Sequence, residues 1–337
     1  MKEKRYLMRV FGLMLCAMVT IGFMSFLLPP AEVQAETITL KVVQSWPKPV
    51  HWNRPGEQWM NWAEYRLKGK VKFNVIGGPE AIPTFQQGES VRNGVVDIMI
   101  GAINYYSGEM PEVDCLKLFA IPQWEVRQKG VFKFYNELHA KKLNAYNIGN
   151  QLPHNVQFHL YTTKPIQKVE DFKGKTIRVT AIYRAFVEAM GGSPATIAPS
   201  EVYTALQRGT VDGLGWPAKG LMDLGWHEVI KYRIDPGFYT MDGCVTINLK
   251  KWESLPPDVR EGLETSMKEH EKNMYAQYMG ALEKEIELLT KAGVKISTLP
   301  PAEAKKYVDL AYKAGWDELI QKRAPEIAPK VKAMLEK

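Results

Sequence analysis

The chain has 337 residues, 45 % hydrophobic and 24 % charged, with a formal net charge of +7. That composition excludes a disordered, collagenous or disulfide-stapled chain, and three cysteines without a CxxC or Cys/His cluster exclude a structural zinc module. Its lysines are interleaved with acids, as in Lys268-Glu269-His270-Glu271-Lys272, which reads as a solvated helix face and not as a nucleic-acid stripe.

Lys2, Lys4, Arg5 and Arg9 precede an apolar run from Val10 to Leu28, followed by Pro29-Pro30 and the small-residue site Val33-Gln34-Ala35. Residues 1–35 therefore read as an export signal cleaved after Ala35, which places the mature protein in the periplasm. The run is also long enough to span a bilayer as an uncleaved anchor. Met14 and Leu15 are too bulky for Cys16 to be a lipidated cysteine. Loss of the leader, with Glu3 and Glu32, lowers the charge from +7 to +5. The remainder, about 300 residues, is enough for two packed lobes. Cys115 and Cys244 lie in apolar runs and read as small core residues, with a disulfide as the alternative.

In the mature chain, Thr37 to Gln44 alternates and is β-branched, the pattern of a first strand. A turn-rich loop with Trp46 and Trp52 follows, then a helix over Gly56 to Leu67 with Trp59, Trp62 and Ala63 on one face. Val71 to Ile76 is a strand, Thr84 to Asn93 a helix ended by Gly94, and Val95 to Ile100 a buried strand. Phe132 to Lys142 reads as helical, with strands at Asn144 to Gly149 and Val156 to Thr162. Asp171 to Pro217 reads strand, helix, strand, helix, strand. Gly243 to Leu249 is a return strand, and Pro256-Pro257 opens a long helix with Leu263, Met267, Met274, Tyr278, Leu282 and Leu289 on one stripe, capped near Gly293.

Val91-Arg92-Asn93-Gly94-Val95-Val96-Asp97 echoes Leu206-Gln207-Arg208-Gly209-Thr210-Val211-Asp212. In both, a glycine suited to a left-handed cap ends a helix and a strand starts at once. One copy per lobe fits two similar α/β lobes; ordinary helix-to-strand punctuation is the alternative.

The stretches DFKGKTIRV (171–179) and SEVYTALQRGTVDGLGWP (200–217) resemble the DctP-type substrate-binding proteins of TRAP (tripartite ATP-independent periplasmic) transporters, and the resemblance covers nearly all of 36–337. It implies an α/β, two-lobed periplasmic binding protein of the type II kind, with crossing strands and a long helix bracing both lobes. Lobe I is expected over 36–155 and 244–282, and lobe II over 156–243 and 283–337. The resemblance also implies a small organic anion as ligand, and the transporter's small and large integral subunits as partners.

Arg178 is the one cation in the run Thr176 to Thr180, and the family resemblance makes it a carboxylate clamp; a guanidinium can grip an oxyanion with two parallel bonds. Trp216 stands where relatives commonly carry asparagine, Phe158 where sialic-acid binders carry a second arginine, and Pro199 where an aromatic residue is usual. These departures point to one anionic clamp in an apolar chamber, against a sugar acid or dicarboxylate. Trp216 as a core residue is the alternative. Trp46, Trp52 and Asn104-Tyr105-Tyr106 follow first-lobe strands, whose carboxyl ends face ligands in open α/β sheets. Tyr183 and Asp242 are further candidates. No cofactor, metal site or nucleic-acid partner is expected. No GxSxG, HExxH or GxxxxGK[ST] occurs, His227-Glu228 has no second histidine at helical spacing, and pairs such as Glu283 and Glu285 read as surface charge, so no enzyme is expected. The first-choice ligand is a monocarboxylate with an aromatic or apolar tail, such as an indole or phenyl acid; a short keto or hydroxy acid, or a sulfonate, is the runner-up. A ligand-sensing protein is a further alternative.

Overall fold

The computed structural model describes residues 36–278 and 281–336, so the expected leader lies outside the described residues. Twelve strands occur among them. They are β1 (Ile38–Gln44), β2 (Val71–Gly77), β3 (Ile98–Ala102), β4 (Ala145–Gly149), β5 (Gln157–Thr162) and β6 (Thr176–Val179). After these come β7 (Ser193–Thr196), β8 (Gly213–Pro217), β9 (Tyr232–Asp235), β10 (Phe238–Thr240), β11 (Gly243–Asn248) and β12 (Lys295–Thr298).

They form two sheets, one for each lobe. The first runs β2-β1-β3-β11-β4, and the second β12-β9-β5-β8-β6-β7 with β10 paired to β5. β1 is parallel to β2 and β3, and β6 is parallel to β7 and β8, so each lobe has a parallel centre. The central strands β3 and β8 are buried along their whole length, whereas the flanking β2 and β7 are largely exposed or half-buried.

The repeated Gly-x-Val-Asp motif performs the same task in each sheet. Gly94 (φ +71°) and Gly209 (φ +69°) both take the left-handed conformation that a side chain would disfavour. The Asp97 carboxylate then accepts from Lys41 N on β1 at 2.7 Å, and Asp212 accepts from Thr176 N on β6 at 2.8 Å. Each aspartate thus takes a backbone N–H of a neighbouring parallel strand, in the middle of β1 and at the first residue of β6.

The chain crosses between sheets at 150–156 and at 241–242. Asn150 ties the crossings: its Oδ1 accepts from Leu152 N and Gly243 N, both at 2.8 Å, and its Nδ2 donates to Asp242 Oδ1 at 2.6 Å. The helix Pro257–Tyr278 packs Leu263 and Met267 into the core of the first sheet, and Met274 and Tyr278 into the larger core. Its continuation, Ala281–Lys291, lies beyond residues 279–280, which are outside the described residues.

Several expectations are corrected. Trp62 is 42 % exposed, and its indole N–H bonds Glu269 instead of joining Trp59 and Ala63 in the core. Within the charged stretch 268–272, His270 and Glu271 are buried, and Glu271 takes both Nε (2.8 Å) and Nη2 (2.7 Å) of Arg127. Glu285 is buried too, accepting from Gly220 N at 2.9 Å. The helix Ala328–Glu336 packs on Val131–Leu143 and on the 3₁₀ segment Pro111–Leu118. Arg323 anchors this tail through Asp114 at 2.6 Å. Cys115 and Cys244 are buried free thiols.

Candidate functional site

The carboxyl ends of β1, β3, β6 and β8 converge on a cavity of about 310 Å³ of empty space. Trp46 and Trp52 come from the loop after β1, and Ala102, Asn104 and Tyr105 from the end of β3. The second sheet contributes Phe158 at the start of β5, Arg178, Thr180 and Tyr183 around the end of β6, and Trp216 and Pro217 at the end of β8. Asn104 Nδ2 donates to Thr180 Oγ1 at 2.8 Å, joining the two walls.

Arg178 is fully buried. Its Nε donates to Ile197 O at 2.8 Å, and its Nη1 to Gly215 O at 3.2 Å and Tyr183 Oη at 3.3 Å. Its Nη2 has no partner, and among the described residues Arg178 has no carboxylate partner. The Tyr183 hydroxyl itself donates to Gly215 O at 2.9 Å. That approach requires glycine at 215, where a Cβ would stand 2.5 Å from the Tyr183 ring.

Rings surround the guanidinium. The Trp216 ring lies 5.8 Å from Arg178 Cζ, and Phe158 is 5.6 Å from Tyr183. Trp46 Nε1 donates to Tyr105 Oη at 2.9 Å, and burial pushes the Tyr105 hydroxyl to a higher pKa, with Arg178 opposing. The buried indole N–H groups of Trp52 and Trp216 have no partner. Both point near Gly220, within 3.3 and 3.4 Å of where a Cβ there would lie. The unpaired, buried Arg178 Nη2 suits an anionic occupant.

The structure therefore brings Arg178, Trp216, Phe158, Tyr105, Trp46 and Tyr183 to one cavity wall. Asp242 and Tyr106 stand off it. Asp242 is buried at the crossing, where desolvation pushes its carboxyl up to about 7 while Lys117 opposes. Pro199 is buried in the turn Pro199–Glu201, away from the cavity.

Sequence reasoning missed Lys117. It lies fully buried in the 3₁₀ segment Pro111–Leu118 and lines the cavity, its Nζ 5.4 Å from the Phe158 ring centre and 3.3 Å from Asp242 O. Burial lowers its pKa, with Asp242 and Asp114 opposing. A lone lysine within the apolar run 115–119 was the available signal.

Residues 44–322 match the bacterial extracellular solute-binding protein family 7, DctP. The chain belongs to that family, the solute-binding proteins of TRAP transporters, a class that binds small organic acids and works with membrane components. Its members are substrate-binding proteins and not enzymes. Among relatives, the C4-dicarboxylate-binding periplasmic protein DctP of Rhodobacter capsulatus is 25 % identical over 285 residues, covering 80 % of each chain. A monocarboxylate 2-oxoacid-binding periplasmic protein of Nostoc sp. (strain PCC 7120) is 24 % identical, over 74 % of this chain and 71 % of its own. A TRAP transporter solute-binding protein from Bordetella bronchiseptica RB50, solved with copurified calcium and picolinate, superposes with a TM-score of 0.79 at 25 % identity, covering 89 % of this chain and 92 % of its own. No helix among the described residues is long and apolar enough to cross a membrane.

Proposed function

We propose that the protein captures a small monocarboxylate with an aromatic or apolar body between its lobes and delivers it to the small and large integral subunits of a TRAP transporter. The observation that carries this reading is the fully buried Arg178 with an unpaired Nη2 and no protein carboxylate, set among Trp216, Tyr183 and Phe158. An uncompensated buried charge costs several kcal/mol, and a ligand carboxylate supplies the missing partner. The cavity is small, which suits a compact acid. The picolinate on the Bordetella protein, a ring monocarboxylate, supports the same class. A second reading, a short 2-oxo acid, is favoured by the Nostoc relative.

A thermal-shift screen across organic anions tests the proposal, since ligand at a hundredfold excess over Kd adds about 2.7 kcal/mol of stability. Ring and branched monocarboxylates should raise the melting temperature more than succinate, malate or sialic acid. Strong stabilisation by a C4-dicarboxylate with no response to ring acids would sink the reading. Residues 1–35 are proposed as a leader removed after Ala35 on export to the periplasm. Intact-mass analysis of the exported protein should give a chain beginning at Glu36; a membrane-retained full-length product would favour the anchor.

A further inference from the structure

Arg178 accounts for one charged group of a ligand, yet the same cavity holds a second buried cation, Lys117. Lys117 Nζ makes one hydrogen bond among the described residues, to Asp242 O at 3.3 Å. Two of its three N–H groups therefore have no protein acceptor, although the side chain is fully buried and lines the cavity. Nζ lies 5.4 Å from the Phe158 ring centre, and Phe158 in turn lies 5.6 Å from Tyr183, whose hydroxyl meets Arg178 Nη1. The two cations thus flank one pair of rings.

We propose that Lys117 is a specificity-determining ligand contact. While Arg178 holds the carboxylate, Lys117 donates to a second, uncharged acceptor on the same molecule: a ring nitrogen, a 2-oxo oxygen or a 2-hydroxyl oxygen. This rests on the reading of the site given above and narrows it. An uncharged acceptor is favoured over a second carboxylate because Lys117 is fully buried, which disfavours its charged form, and Asp242 and Asp114 already act on that charge. An amine donates hydrogen bonds whether charged or neutral, so the contact survives the depression of the Lys117 pKa by burial.

Calorimetry with matched pairs tests the assignment: benzoate against picolinate, and 3-methylbutanoate against 3-methyl-2-oxobutanoate, all with chelator present. The wild type should bind the heteroatom-bearing member about 10- to 100-fold tighter, the range for one hydrogen bond to a charged donor. Lys117→Met should erase that preference, and Lys117→Gln, which keeps a donor, should retain part of it. A preference that persists in folded Lys117→Met overturns the proposal, as does an equal loss for both members of a pair. Arg178→Lys run alongside tests the underlying reading separately: unchanged affinity there removes the site itself, whereas a persisting preference in Lys117→Met removes Lys117 alone. A wild type that prefers succinate to both ring acids, with Lys117→Met abolishing succinate binding, overturns the uncharged-acceptor assignment in favour of a second carboxylate.

Discussion

Arg178 holds its charge at a fully buried position by spending Nε and Nη1 on backbone carbonyls and a phenol, and leaving Nη2 toward the cavity. Lysine at 178 would keep the charge but could reproduce neither the Ile197 contact nor a two-pronged grip on a carboxylate. Arg178→Lys should therefore cost about 2–5 kcal/mol of ligand binding, read by calorimetry on a variant shown to be folded by circular dichroism. Near-wild-type affinity would exclude Arg178 from the site. Trp216 adds a flat face and an unpaired indole N–H beside it. A stacked ring gains roughly 0.5–1.5 kcal/mol beyond its buried area. Trp216→Asn should consequently weaken ring acids more than short aliphatic acids, and equal weakening of both would argue that Trp216 serves packing alone.

At the scale of elements, two helix-to-strand junctions use one solution. Asp97 and Asp212 each follow a left-handed glycine, and each accepts from a backbone N–H of the adjacent parallel strand. Asp97→Ala and Asp212→Ala should each lower stability by about 1–3 kcal/mol in urea titrations, because each leaves a backbone N–H without its acceptor. Stability unchanged in both would reduce the echo to chance. This part of the fold was legible in the sequence because a glycine cap and a β-branched run are local signals. The GKTIRV strand and the VDGLGWP turn were legible for the same reason, and they place Arg178 and Trp216. Lys117, Glu271 and Glu285 were not legible, because burial of a charge depends on partners far along the chain: Asp242, Arg127 and Gly220. The elements after Gly293 escaped similarly; β12 gains its place only as an edge strand beside β9.

The whole molecule carries a pH response distributed over its framework. His139, His154 and His270 are buried and their pKa values fall to about 4, with desolvation as the main cause. They sit in separate places: in the helix Val131–Leu143 beside Tyr106, in the crossing at 150–156, and on the helix Pro257–Tyr278 against Gln151 O. In the unfolded chain each would titrate near 6.5. Between pH 6.5 and 4 the unfolded state therefore binds more protons at these sites, so their contribution is full above pH 6.5 and is lost as pH falls through that window. Asp242 acts in the opposite sense. Its carboxyl, raised from 3.8 to about 7, keeps its proton in the folded state, and the stability this confers below pH 4 is lost as pH rises to 7. His51, also lowered to about 4, acts with the three histidines, while Asp114, Glu271 and Asp223, each raised by burial, act with Asp242. Urea denaturation at pH 6.5, 6.0, 5.5 and 5.0 isolates one of these groups: His270→Gln should lose less stability on acidification than the wild type, by roughly one proton's worth, about 1.4 kcal/mol per unit. An identical slope in wild type and His270→Gln would mean that His270 is protonated in the folded protein.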